Sequence, residues 1–318
     1  MLSFRLNSIL IIIGCICLLT CPKGVCFGSE STHGKAVAIV SSKILPYMEA
    51  LEAMEKTVAA ELNIDTEEVY LESDLHQNTD ILVNRYADRE DISVFIAVGP
   101  QAAYLLWHTL GGHKAKKLYT MVLNPEKVLP DASDLCGVSL NIPVSEQVEI
   151  IRRAFTGSHR VGLICNPEQN ADVLRMAVEA GEAKGVEIVP LEVTDRKMIP
   201  AILLQNWEAI DELWMVPDQT VISESLVSYI IKECLKKGIP AIGFNRYFYE
   251  KGAALCFLFE YGDVGRQTGR LVAELLQGRS CTNNAPEYIV WYNIKVLKAL
   301  GIEYDSEIFS AGRIGPGP

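Results

Sequence analysis

From residue 36 onward the chain alternates short β-forming runs with amphipathic helical stretches, and it does so in two successive series. Strands separated by helices of ten or more residues do not pair as hairpins. They pair in parallel, with the helices laid over both faces of the sheet. In the first series KAVAIVSS, EEVYLES, ISVFIAVG and KLYTMVLN read as strands. Between them LPYMEALEAMEKTVAAEL places Leu45, Met48, Leu51, Met54 and Val58 at helical spacing, and NTDILVNRYAD and PQAAYLLWHTL read as further helices. The second series runs SEQVEIIRRAF, RVGLICN, NADVLRMAVEAGEAKG, VEIVPLEV, IPAILLQNW, ELWMVP, SESLVSYIIKECLKKG and IPAIGF, again helix and strand in turn. The predicted fold class is therefore α/β, with two doubly wound parallel-sheet lobes. LCGVSLNIPV, between the series, reads as a connector. VGRQTGRLVAELLQG is one more helix, and the tail AGRIGPGP, residues 311–318, is expected to be mobile.

The first residues carry a different signal. Arg5 precedes an uncharged apolar run from Ile9 to Leu19, which is the length of a secretory core and short for a bilayer span. Residues 1–28 read as an export signal, with small residues Cys26 and Gly28 before a cleavage that leaves Ser29 at the new terminus. A lipid anchor on Cys21, within LLTC, is the alternative. Either way the chain is expected outside the cytoplasm, periplasmic or extracellular.

Of the nine cysteines, five follow the leader, at 136, 165, 234, 256 and 281. An odd number with no CxxC spacing argues against a disulfide framework and against a zinc site, and leaves open whether one pair is oxidised. The formal net charge of −11 comes with no Lys/Arg block interleaved with aromatics, so nucleic acid is excluded as an expected partner. Catalysis finds no support either: there is no G-x-S-x-G elbow, P-loop, G-x-G-x-x-G turn or H-E-x-x-H helix. No cofactor, metal or enzymatic activity is expected.

Open parallel sheets bind ligands beyond the carboxyl ends of their strands. The polar residues there are Ser41 and Ser42, Gly99 to Gln101, Asn124, Asn166, Asp218 to Thr220, and Asn245 with Arg246. In VPDQTVISES, Asp218 and Thr220 stand where a strand turns into a helix, so they can cap its first-turn amides, grip a ligand ammonium, or do both. Asp263, before VGRQTGRL, can likewise cap or bind.

GVSLNIPVSEQVEIIRRAFTGSHRVGLICNPEQN, the VP and DQTV passage, KKGIPAIGF and FEYGDVGRQTGRLVAELLQG together resemble the substrate-binding proteins of ABC transporters of the tryptophan/tyrosine-binding type, over about residues 36–303. The resemblance implies a type I periplasmic-binding fold: two α/β lobes joined by three crossover segments, with a ligand enclosed when the lobes close. It implies a first lobe of 36–138 plus 258–287 and a second of 139–257 plus 288–310. It further implies ligand contacts from Ser41, Ser42, Gly99, Gln101 and Asn124 in the first lobe. In the second they come from Asn166, Asp218, Gln219, Thr220 and Asn245, with Tyr261 and Asp263 near a crossover. The implied partners are a small molecule, an amino acid or similar, and a membrane permease, the receptor itself being a monomer. A ligand-sensing domain for a membrane signalling partner is the alternative. The chain departs from the family pattern at Gly99-Pro100-Gln101, where relatives carry Gly-Thr-Pro, at the shortened Asp218-Gln219-Thr220, and at Tyr261-Gly262, where a tyrosine pair is usual.

Overall fold

The computed structural model describes residues 34–129, 135–155, 157, 159–302 and 314–316, all within one unit of the chain. The leader expected over 1–28, with Cys21 and Gly28, lies outside the described residues. Among the described residues no helix is long and apolar enough to cross a membrane.

The first series folds as β1 (Lys35–Val40), α1 (Leu45–Leu62), β2 (Thr66–Tyr70), α2 (Leu75–Tyr86), β3 (Ile92–Val98), α3 (Pro100–Leu110), β4 (Lys116–Val122), the short α4 (Pro125–Val128) and β5 (Gly137–Ser139). The second begins with α5 (Val144–Ala154), β6 (Arg160–Cys165), α6 (Pro167–Lys184), β7 (Glu187–Glu192), α7 (Ile199–Asn206) and β8 (Glu212–Met215). It continues through α8 (Glu224–Lys237), β9 (Ala241–Gly243), α9 (Arg246–Glu250) and β10 (Leu255–Leu258). The chain then returns with α10 (Tyr261–Leu276), β11 (Asn283–Asn284), β12 (Ile289–Tyr292), α11 (Ile294–Leu300) and β13 (Ile314–Pro316).

Two sheets result. One has six strands in the order β11-β5-β4-β3-β1-β2, with every pairing parallel. The other has seven in the order β13-β12-β10-β9-β8-β6-β7, parallel except where β12 runs back along β10. The pairing of residues 314–316 with β12 corrects the expectation of a mobile tail at those three residues. There the backbone hydrogen-bonds to a strand edge instead of to water.

Period-two side-chain alternation explains why each sheet carries helices on both faces. Ala36, Ala38 and Val40 of β1 join the core under α1 and α10, while Val37 and Ile39 join the core under α2 and α3. In the second sheet Val161, Leu163 and Trp214 face α5 and α6, whereas Leu213 and Met215 face α7 and α8. Burying a side chain such as fully enclosed Phe95 contributes about 1.5–3 kcal/mol.

α10 follows β10 out of the second sheet yet packs on α1 of the first lobe, and two glycines in VGRQTGRL permit it. A Cβ on Gly265 would collide with the Ala50 carbonyl, and one on Gly269 would lie 2.5 Å from Thr57 Cβ. Without Cβ atoms at these positions, one turn apart, the two helices come into backbone contact. The chain therefore crosses between lobes three times: at 140–143, at 259–260, and between β11 and β12.

A disulfide joins Cys136, just before β5, to Cys281, just before β11, at a sequence separation of 145. It ties together the first-lobe roots of two crossovers. Cys165, Cys234 and Cys256 are free and buried, filling space as small apolar residues.

Candidate functional site

Between the lobes lies a cavity of about 570 Å³ whose walls come from both sheets and from all three crossovers. The first lobe supplies Leu123, Asn124 and Glu126 after β4, with Tyr261 at the start of α10. The second supplies Asn170, Val173 and Met176 of α6, Val216 and Pro217 after β8, and Phe244 and Asn245 after β9. The crossovers contribute Asn141 and Ile142, Phe259, and Ala285, with Asn283 of β11 beside the last of them. The wall is apolar and aromatic, set with amides, which suits an amphipathic small molecule.

The loop after β4 is built to hold its shape. Asn124 adopts a left-handed conformation (φ 51°), which asparagine tolerates. Its backbone N–H donates to Asn141 Oδ1 at 2.8 Å, and Asn141 Nδ2 donates back to Asn124 Oδ1 at 2.5 Å. This reciprocal pair fastens the first-lobe wall to the first crossover. Nearby, Tyr119 donates its hydroxyl to Asn283 Oδ1, securing the third crossover. Burial and then the Glu126 charge push the Tyr119 phenol well above its ordinary pKa, so it stays a donor.

Asn124, Asn245 and Tyr261, three of the residues expected from sequence, line this cavity. Asn245 also caps α9, its Oδ1 accepting from the Phe248 N–H at 3.2 Å. Tyr261 sits edge-on to Phe259, ring centroids 6.0 Å apart.

Asn166, Asp218 and Thr220 form a network behind the wall. Asp218 is 3% exposed, and three donors occupy its carboxylate: the Asn166 N–H at 2.6 Å and Asn170 Nδ2 at 2.7 Å on Oδ2, and the Thr220 N–H at 2.7 Å on Oδ1. Asn166 Nδ2 donates in turn to Thr220 Oγ1 at 3.1 Å, while Asn166 Oδ1 caps α6 through the Glu168 N–H. Gln219 is exposed in the turn between them. The Asp218–Thr220 passage thus closes a loop and braces α6. α8 itself is capped by Ser223, whose Oγ accepts from the Leu226 N–H at 3.4 Å.

Ser41, Ser42 and Gln101 line a separate first-lobe hollow of about 480 Å³, with Leu71, Glu72, Ser73, Asn78 and Leu105. Ser41 Oγ accepts from the Ala102 N–H at 2.9 Å in the first turn of α3. Gly99 has φ 91°, and a Cβ there would lie 2.7 Å from Ser41 Oγ and 2.8 Å from the Tyr47 ring, so only glycine fits. Asp263 pairs with Arg266 one turn along α10. The cavity wall contributed by Glu126, Phe244, Phe259 and Asn283 was not anticipated. Of these, Phe244 had a legible signal, its place directly after a strand.

Among the described residues the cavity wall holds no cysteine or histidine. The buried Cys165 thiol is pushed up to about 12 by burial and then by the Asp218 and Glu192 charges. Among the described residues no group of side chains is arranged to hold a metal ion.

Two parallel-sheet lobes, three crossovers and a cavity shared by all of them define the type I periplasmic-binding architecture. Solved structures share it at low identity. The ligand-free, open structure of CD0873, a substrate-binding protein with adhesive properties from Clostridium difficile, is 18% identical with TM-score 0.70, covering 89% of this chain and 99% of its own. An ABC domain from Streptococcus pneumonia in complex with L-Trp is 15% identical with TM-score 0.59, covering 89% of this chain and 100% of its own. A periplasmic ribose ABC transporter protein from Conexibacter woesei is 14% identical with TM-score 0.62, covering 86% and 97%. No curated protein matches the sequence. Residues 122–312 match the family described as ABC transporter substrate binding protein. The chain belongs to that family.

Proposed function

We propose that this chain is the extracytoplasmic solute receptor of an ABC transporter, capturing a small amphipathic molecule between its lobes and presenting the closed form to a membrane permease. The observation that carries the reading is the cavity of about 570 Å³ walled by both lobes and all three crossovers. A ligand touching both walls favours the closed arrangement, and the crossovers are the segments that flex. Asn124, Asn245 and Tyr261 are its sequence-predicted contacts. Asn166, Asp218 and Thr220 form the frame that holds α6 against the cleft.

The ligand class that the family resemblance implies is an amino acid or similar compound, and the aromatic and amide lining is compatible with one. Relatives of this fold carry ligands as different as tryptophan and a sugar in their names, so the lining, not the fold, is what selects. The receptor acts as a monomer after export, its leader removed after Gly28 or anchored at Cys21. Binding without turnover is the expected chemistry.

The test is thermal unfolding of residues 29–318 against amino acids, purines, sugars and small acids. A compound at a hundred times its Kd should stabilise the protein by about 2.7 kcal/mol, a shift of a few degrees. Recovery of the compound unchanged supports a receptor, and conversion to product refutes it.

A further inference from the structure

The cleft is poor in charge in a specific way. Among the described residues its wall contains no lysine, arginine or histidine, and its one ionic side chain is Glu126. The cations near its edge are engaged elsewhere. Lys127 Nζ donates to the Gln169 carbonyl at 3.1 Å and lies 3.6 Å from Asp172. Arg246 lies 3.7 Å from Glu260 and stacks over the Trp291 ring at 5.2 Å. Asp218, a carboxylate behind the cleft wall, is buried and takes three donors from its own lobe.

Glu126 differs from these. It stands in the first turn of α4, on the loop that Asn124 and Asn141 lock, and its charge reaches Tyr119 beside the third crossover. It is exposed, with no ion-pair or hydrogen-bond partner among the described residues, and it faces a cavity walled by Phe244, Phe259 and Tyr261. A carboxylate at the edge of an aromatic chamber attracts a cation twice: through the charge itself and through the negative faces of the rings. An acid group entering the same chamber would lose its hydration with no side-chain cation to replace it.

We propose that the cleft selects an organic amine with an apolar or aromatic body and no acid group, and that Glu126 meets its ammonium. The proposal rests on the receptor reading and replaces the amino acid that the resemblance implies with an amine lacking the acid group. It moves the cation-binding role from Asp218, where the sequence suggested it, to a residue in the opposite wall.

Three indole compounds that share a ring and differ in charge provide the test: tryptamine, L-tryptophan and indole-3-acetate, titrated calorimetrically into the exported protein. Tryptamine should bind at least about tenfold more tightly than either of the others, the size expected of one charge-assisted contact. Glu126→Gln should erase that preference while leaving the unfolding temperature unchanged, and Glu126→Asp should restore part of it. Tighter binding of tryptophan or indole-3-acetate, or a preference that survives Glu126→Gln, overturns the proposal. If the indoles are silent but a sugar or another amino acid binds, the amine assignment falls and the receptor stands. If no solute of any class binds to the folded protein, both fall.

Discussion

Lys127 of the first lobe reaches across the mouth of the cleft to Asp172 of the second, its Nζ 3.6 Å from Oδ2 and 3.1 Å from the Gln169 carbonyl oxygen. This contact joins the loop after β4 directly to α6, without passing through a crossover, so it exists only while the lobes are close. Both side chains are substantially exposed, 44% and 59%, which limits the ion pair to about 0.5–1 kcal/mol. Lys127→Ala should therefore weaken solute binding by roughly two- to fivefold, mainly through faster release, with little change in unfolding temperature. Stopped-flow release rates and small-angle scattering of the solute-free protein check this. An unchanged off-rate would show that the bridge does not help hold the lobes together.

Asp218 should behave as a structural residue. Asp218→Ala strands the Asn166 and Thr220 amides and Asn170 Nδ2 in a buried site, a cost of about 3 kcal/mol or more. Asp218→Asn keeps one acceptor and should cost less. Denaturant unfolding measures both. A direct ammonium contact would instead show as lost affinity in a variant of unchanged stability.

What the sequence revealed and what it hid divide along sequence distance. α1 and α3 were legible to their ends because each opens on a proline near N1 and carries a clear apolar stripe. α2 begins three residues before its apolar pattern, because Asp74 caps it through the His76 and Gln77 amides. β10 lies inside GAALCFLFEYGD, an apolar run with no period to separate strand from helix. In the site, Asn124, Asn245 and Tyr261 could be named from strand ends and the family pattern. The bond between Asn170 and Asp218 could not. It depends on a departure from helical geometry at Asn170 (φ −123°) that turns a residue of the α6 first turn toward the loop after β8. Glu126, Phe259 and Asn283 come together only because three crossovers converge, and no local spacing encodes that convergence.

The Cys136–Cys281 bridge closes a long loop and fixes β5 to β11, so removing it should cost about 2–4 kcal/mol. A reductant should lower the unfolding temperature of the native protein and leave the Cys136→Ser/Cys281→Ser double variant unaffected. Thiol titration of the native protein should show Cys165, Cys234 and Cys256 unreactive until unfolding, because burial raises each thiol and shields it. Titration of those thiols in the folded state would contradict this.

Glu55 gives the fold a pH dependence with a definite sign. The residue lies on α1 with its Oε1 buried and without a hydrogen-bond partner, and burial followed by the neighbouring Glu68 charge raises it from 4.5 to about 7. A carboxyl that holds its proton more tightly when folded contributes stability that is complete below the unfolded value. That stability is lost as pH rises through the folded value, here between about 4.5 and about 7. The full interval corresponds to at most about 3 kcal/mol, and solvent screening of this half-buried side chain reduces it to about 1–2 kcal/mol. Glu55→Gln keeps the shape of the protonated acid and cannot ionise. It should therefore raise the unfolding temperature at pH 8 by a few degrees, have little effect at pH 5, and flatten the stability profile between them. Tyr70, whose hydroxyl donates to Glu68 and which burial and Glu68 push up to about 12, remains protonated throughout that window. The change in slope can then be assigned to Glu55. An equal gain at pH 5 and pH 8 would trace the stabilisation to packing and remove the pH argument.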